Sequence, residues 1–157
     1  MKSLLKDTRA VTLIELLWVL PVLLMMFLFI IESAFIMYDF AVVNYFTSTA
    51  AEKSAMEGGF NNTIRQSLQT NLRNWTSNGK AYSFDANGTS AYYTPSVVVA
   101  YGTDKGTQVQ RGDEIRVGVV YPVRFKTFIV EGTFQWVVEQ TELTLKAQAV
   151  SSSEKYY

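Results

Sequence analysis

The stretch TRAVTLIELLWVLPVLLMMFLFII, Thr8–Ile31, decides how the rest of the chain is read. Leu16 to Ile31 is an apolar run of sixteen residues, and over the twenty-two residues from Ala10 to Ile31 Glu15 is the only charge. A helix that crosses a bilayer needs about 20 apolar residues, so the run is long enough. The basic residues Lys2, Lys6 and Arg9 precede it, and none occurs between Ala10 and Phe46. That asymmetry predicts a cytoplasmic N-terminus and export of the chain beyond the run. Two residues fit poorly. A carboxylate such as Glu15 costs ~2.5–3.5 kcal/mol inside hydrocarbon on insertion scales. Pro21 has no N–H and leaves the carbonyl of Leu17 without its helical donor. A kink or unwound turn is therefore expected near Leu17 to Pro21, tolerated where protein covers the freed backbone.

Simpler readings of the run leave something over. An ordinary secretory signal has an apolar region of ~7–15 residues and a small-x-small cleavage site. Here the run is longer, and Ile30-Ile31-Glu32-Ser33-Ala34 puts a charge where a small residue is needed. An uncleaved anchor fits the length. It accounts for Glu15 only by seating it among the cytoplasmic headgroups.

The residues themselves resemble a known pattern. "RAVTLIELL" looks like a type IV prepilin leader, in which a short basic leader is cut after a small residue, usually Gly. Here Ala10 stands in that place. A cut between Ala10 and Val11 makes Glu15 the fifth residue of the new chain, as the family pattern requires, and Thr12-Leu13-Ile14-Glu15 matches the family core. Pro21 follows Glu15 by only six residues. With Val19-Leu20-Pro21-Val22-Leu23-Leu24, a second acid at Glu32 and the later Ala50-Ala51-Glu52-Lys53-Ser54-Ala55, the chain is similar to TadE-like proteins from Val11 to about Gly58. The resemblance implies a minor pilin or pseudopilin of a tight-adherence pilus or secretion complex. It implies a prepilin peptidase, other pilin subunits, an inner-membrane assembly platform and membrane lipid as partners. It further implies that the amine freed on Val11 pairs with Glu15 of a neighbouring subunit, which would remove two isolated charges from apolar surroundings. The alternative is an uncleaved, single-pass anchor displaying an extracytoplasmic binding module.

Beyond the run, Ile31, Phe35, Tyr38, Val42, Tyr45, Thr49 and Met56 recur at three- and four-residue steps with one skipped, which is one helical stripe. Gly58-Gly59 ends the pattern. Val11 to Glu57 would be a spine of ~70 Å at 1.5 Å per residue. The stripe is expected to serve both its own domain and neighbouring subunits.

Residues 58–157 are expected to form an exported α+β domain, a helix followed by an antiparallel sheet. Asn62-Thr63 caps a helix bearing Ile64, Leu68, Leu72 and Trp75, closed by Asn78-Gly79. Tyr82 to Pro95 reads as a loop or irregular strand. Strands are expected at Ser96–Tyr101 and at Glu114–Tyr121, the latter with Ile115, Val117, Val119 and Tyr121 on one face. Further strands are expected at Thr133–Val138 and Glu142–Val150. Val123–Val130 reads as a buried strand, with a subunit contact or a seat on the membrane surface as the other readings.

Composition narrows the chemistry. The formal net charge is zero, so no global basic field draws nucleic acid. No Cys and no His are present, which removes thiolate sites, the commonest general base and the commonest zinc ligand. Arg111-Gly112-Asp113 is a chance-level tripeptide at a turn. Asp85-Ala86-Asn87-Gly88 begins like a calcium loop but reaches Ser96, not Glu, at the twelfth position. Asn61, Asn74 and Asn87 each begin a glycosylation sequon. Asp113 and Glu114 would face opposite ways on a strand. We expect no catalytic site, no metal and no cofactor.

Overall fold

The computed structural model describes residues 8–86, 88, 94, 96–103 and 109–156, with backbone alone at 8–11, 128, 129, 133, 138 and 139. The expected leader up to residue 7, the sequon residue Asn87, the aromatics Tyr92 and Tyr93, and 104–108 of the turn-rich segment lie outside the described residues. The elements run α1 (Thr8–Glu57), α2 (Asn62–Trp75), β1 (Ser83–Asp85), β2 (Val97–Gly102), β3 (Glu114–Pro122), α3 (Phe128–Thr141) and β4 (Thr144–Ser152). The architecture is α+β: one long apolar helix, then a small four-stranded sheet with two shorter helices.

α1 is 50 residues long, or ~75 Å. It passes through Pro21 without interruption. The unwound turn expected over Leu17 to Pro21 is absent, because a proline removes one backbone donor while the bonds on either side persist. Gly58 ends the helix in the left-handed region at φ 73°. The N–H of Gly59 then reaches back to the carbonyl of Ser54 at 2.9 Å, a six-to-one closure that satisfies one of the last carbonyls. α2 starts one residue earlier than expected. Asn61 is its cap, and its side chain accepts from the N–H of Ile64 at 2.9 Å.

The sheet order is β1-β2-β3-β4. β1 and β2 are parallel, while β2–β3 and β3–β4 are antiparallel. Val99 lies opposite Val120, and Val117 opposite Ala149. The expected face of β3 holds, since Ile115, Val117, Val119 and Tyr121 are all buried. Gly118 is required by a close approach: a Cβ there would come within 2.2 Å of the Tyr101 ring.

α1 packs against α2, β3 and β4. Val43, Ala50 and Ala51 of α1 share one core with Phe60, Ile64, Leu68 and Leu72 and with the β2, β3 and β4 side chains above them. The outer half of α1 is thus part of the C-terminal domain. Tyr121 is buried in this core. Its hydroxyl donates to Thr76 Oγ1 at 2.9 Å, which donates to the carbonyl of Leu72 at 2.6 Å. Burial holds the Tyr121 phenol well above its ordinary titration range, so it stays a neutral donor.

The segment after β3 departs from expectation. Neither expected strand forms: 123–127 are irregular, and α3 takes the end of the Val123–Val130 segment and the whole of Thr133–Val138. Phe134, Trp136 and Val138 alternate, but the alternation is only three residues deep. The start of α3 is fixed by a side chain from α1, a contact no local pattern encodes.

Leu72, wholly buried where α2 meets the core, sets the scale of domain stability. Leu72→Ala should lower the unfolding free energy by about 2–5 kcal/mol, read from chemical denaturation of the detergent-solubilised chain. A change within experimental scatter would show that α2 is not part of the cooperative core.

Candidate functional site: the two faces of the long helix

The face of α1 that meets the domain is mixed: Val43, Ala50, Ala51 and Ala55 are buried there beside four polar residues. Glu32, Asp39, Thr47 and Ser54 are buried at 2, 5, 1 and 0 % exposure. Their spacing of seven, eight and seven residues keeps them on one side of a helix. The stripe expected to serve both the domain and neighbouring subunits is divided: Phe35, Val42 and Thr49 are half-buried. Ile31, Tyr38, Tyr45 and Met56 are exposed, with Tyr45 at 66 % and Met56 at 65 %. The reason is steric as well as polar. Ala50, Ala51, Ser54 and Ala55 are small and let the sheet close on the backbone of α1, as bulky aromatics at these positions would not. Thr47 and Ser54 satisfy their hydroxyls on the carbonyls of Val43 and Ala50, each at 2.7 Å.

The two acids are satisfied by the domain. The Glu32 carboxylate accepts from the N–H of Lys126 at 2.5 Å, the N–H of Thr127 at 2.9 Å and the Thr127 hydroxyl at 2.6 Å. Those donors immediately precede α3, so a side chain of α1 supplies an acceptor for the N–H at the helix start, the part that the N3 side chain plays in a capping box. It also sets negative charge against the positive end of the α3 dipole. Asp39, two turns further along α1, accepts from the N–H of Ser77 at 2.7 Å and from the Ser77 hydroxyl. Lys126 ties the two points together. Its ammonium donates to the carbonyl of Ser77 at 3.2 Å and lies 5.0 Å from the centre of the Phe35 ring. Buried carboxylates are tolerated because each has found several donors.

Sequence reasoning singled out Glu32 only as a second acid of the resemblance and assigned Asp39 no role. The available signal was the pair itself. Two acids seven residues apart amid aromatics and aliphatics share a helical face, and two polar residues continue that face.

The inner half of α1 has no such cover. From Thr12 to Leu24 every side chain is exposed, Glu15 and Pro21 among them. Neither ion pair among the described residues includes Glu15. The backbone is helical from Thr8, so Ala10 and Val11 lie in the first turns of α1; their side chains fall outside the described residues. Glu15 and Glu32 are therefore not brought together. They sit on one helix, one exposed and one enclosed. By length and composition α1 is able to cross a membrane.

On the outer half, Tyr38, Ala41, Val42, Tyr45, Phe46 and Trp75 line an open groove of about 360 Å³ between α1 and the end of α2. Among the described residues no group of three or more His, Cys, Asp or Glu is placed to hold a metal ion. Comparison with family models, curated proteins and solved structures returned no match for this chain.

Removing the Glu32 carboxylate leaves the amides of Lys126 and Thr127 without their acceptor. Glu32→Ala should cost about 1–3 kcal/mol and speed hydrogen exchange at the first turn of α3. Glu32→Gln preserves the shape but turns an NH2 toward donors, so it should fall between. Unchanged exchange over residues 126–131 in Glu32→Ala would show the cap to be dispensable.

Proposed function

We propose that the chain is a structural subunit, a TadE-like minor pilin or pseudopilin, that assembles through α1 into a Tad-type pilus or related secretion complex. Its leader would remain in the cytoplasm, a prepilin peptidase would cut between Ala10 and Val11, and an inner-membrane platform would receive the product. The domain beyond the span would lie outside the cytoplasm. The role is that of a peptidase substrate and building block, not of a catalyst.

The observation that carries this reading is the division of α1 into two faces. Its own domain takes the side that carries the two acids, the two hydroxyls, Val43 and the alanines, while large apolar residues such as Leu13, Leu17, Trp18, Tyr38, Tyr45 and Met56 remain exposed along the rest of the helix. Hydrocarbon can cover the inner half, but the outer half extends beyond a bilayer's thickness. An exposed apolar stripe with an adjoining groove at that height suits packing against other helices. Glu15 supports the same reading. A carboxylate on an otherwise apolar, exposed surface is costly until a cation meets it, and a freed Val11 amine on a neighbour is such a cation. That pairing would favour one axial stagger between subunits.

Mass spectrometry of the membrane-extracted protein from a host with active prepilin peptidase should find Val11 at the N-terminus. An intact Met1 start would sink the processing step and favour the uncleaved anchor. Glu15→Val should insert into the membrane as well as the parent or better, since a charge has gone, while assembly into sheared pilus or complex fractions falls. Wild-type assembly by Glu15→Val would count against charge pairing.

A further inference from the structure

The height of α3 along α1 is set by two contacts. Its start is held at Glu32, the first residue past the apolar run. Further along, the Phe134 ring meets the Phe29 ring edge-on with centroids 5.2 Å apart. Phe29 belongs to the run itself, three residues back toward the N-terminus, or ~4.5 Å lower at 1.5 Å per residue. From its first turn onward α3 therefore passes from the edge of the spanning segment to a point level with its last apolar turn. A helix at that height does not stand clear of the bilayer.

Its sides are sorted accordingly. Val130 is buried at 1 % and Phe134 is half-buried, so these two, four residues apart, form the side that faces the protein. At 3.6 residues per turn, Gly132 and Trp136 fall on roughly the opposite side. Nothing lies within 4 Å of where a Gly132 Cβ would be, and Trp136 is 61 % exposed. Glu131 is drawn sideways into an ion pair with Arg124 at 2.6 Å, and Gln135 accepts from the N–H of Phe125 at 3.2 Å. The charge nearest the start of α3 is thereby neutralised against the domain; the outer side holds Gly132 and Trp136, with the position of Glu139 following one turn later toward the end of the helix. Tryptophan is the residue that bilayer interfaces favour, with an apolar body and an N–H for the headgroup region.

We infer that α3 is a membrane-interface helix: its Gly132–Trp136 side lies in lipid, at the boundary between headgroups and acyl chains, beside the point where α1 leaves the bilayer. The occupant of this surface is phospholipid. The inference rests on the reading of residues 10–31 as a membrane span. It gives the Glu32 cap a purpose beyond stability, because the same carboxylate that starts α3 fixes the depth at which the helix meets the bilayer. Interfacial helices sink an apolar side roughly 5–10 Å into that boundary, which suits a helix tethered at the top of the span.

The chain has three tryptophans, Trp18, Trp75 and Trp136, and they report on three heights. Trp18 lies within the run. Trp75 lines the groove beside Tyr38 and Tyr45, well beyond the run's end. Full-length chains retaining a single tryptophan, the other two changed to Phe, are reconstituted one per phosphatidylcholine nanodisc. Their emission is compared with and without bromine high on the acyl chains. Trp18 and Trp136 should each lose about half or more of their emission, as expected for indoles within bromine's reach at the depth of interfacial burial, and Trp75 should change little. Trp136 unaffected while Trp18 is quenched would overturn the inference and leave the span intact, and shielding of Trp136 only on self-association would give that side to a protein partner instead. Trp18 unaffected would overturn the span reading, and this inference with it.

Discussion

A carboxylate at the top of an apolar helix must find donors, and much of this structure depends on how Glu32 finds them. Desolvating an unpaired carboxylate costs more than the whole margin of stability of a small domain allows. That cost is offset by three hydrogen bonds from Lys126 and Thr127. The position of those donors determines where α3 begins, and therefore what Phe134 touches. Asp39 repeats the device two turns further along with Ser77. These anchors add to the core packing that already joins the outer half of α1 to the domain. Two anchors on one face of a helix, bridged by Lys126, extend that packing toward the apolar run and tie the start of α3 to it.

That arrangement departs from the usual division of an amphipathic helix, in which the apolar side alone faces the core. Here the core-facing side of α1 carries acids and hydroxyls among Val43 and alanines, and the side away from the domain carries Tyr38, Tyr45 and Met56. The mixture is tolerated because the polar groups are few and satisfied and the alanines allow close packing. Its consequence is an apolar surface that runs from the proposed span to well beyond it, ready for helix partners in the proposed assembly. A helix built this way loses little by exposing its apolar side if that side is buried in the assembled state.

The long helix, α2 and the faces of β3 were legible in the sequence because each rests on local periodicity. Ile64, Leu68 and Leu72 recur at helical steps, and Ile115, Val117, Val119 and Tyr121 at strand steps, and each set is buried as its period implies. The parts that were not legible depend on contacts far apart in the chain. α3 was read as strand because Phe134, Trp136 and Val138 alternate, whereas its start is decided by a carboxylate 95 residues earlier. The buried side of α1 was not read from the stripe, because its centre runs through Glu32, Asp39, Thr47 and Ser54 rather than through the apolar residues. The decisive fact, that Glu32 and Asp39 have donors waiting, belongs to tertiary structure. Pro21 does not unwind the helix, since the loss of one donor is a smaller perturbation than a break, and the surrounding turns hold.

Glu15 and Glu32 then pose one problem with two solutions. Both are carboxylates on the same helix, seventeen residues or ~25 Å apart. Both adjoin apolar sequence. Glu32 is answered within the chain and is already engaged in the folded subunit, so it specifies shape. Glu15 remains exposed, so whatever answers it comes from outside the domain that encloses Glu32. In water that need would be slight, but in hydrocarbon it would be worth several kcal/mol, enough to select one neighbour and one stagger over others. The helix thus separates the interaction that shapes the subunit from the one that would place it in the proposed assembly. The distance between them keeps the two from competing for the same donor.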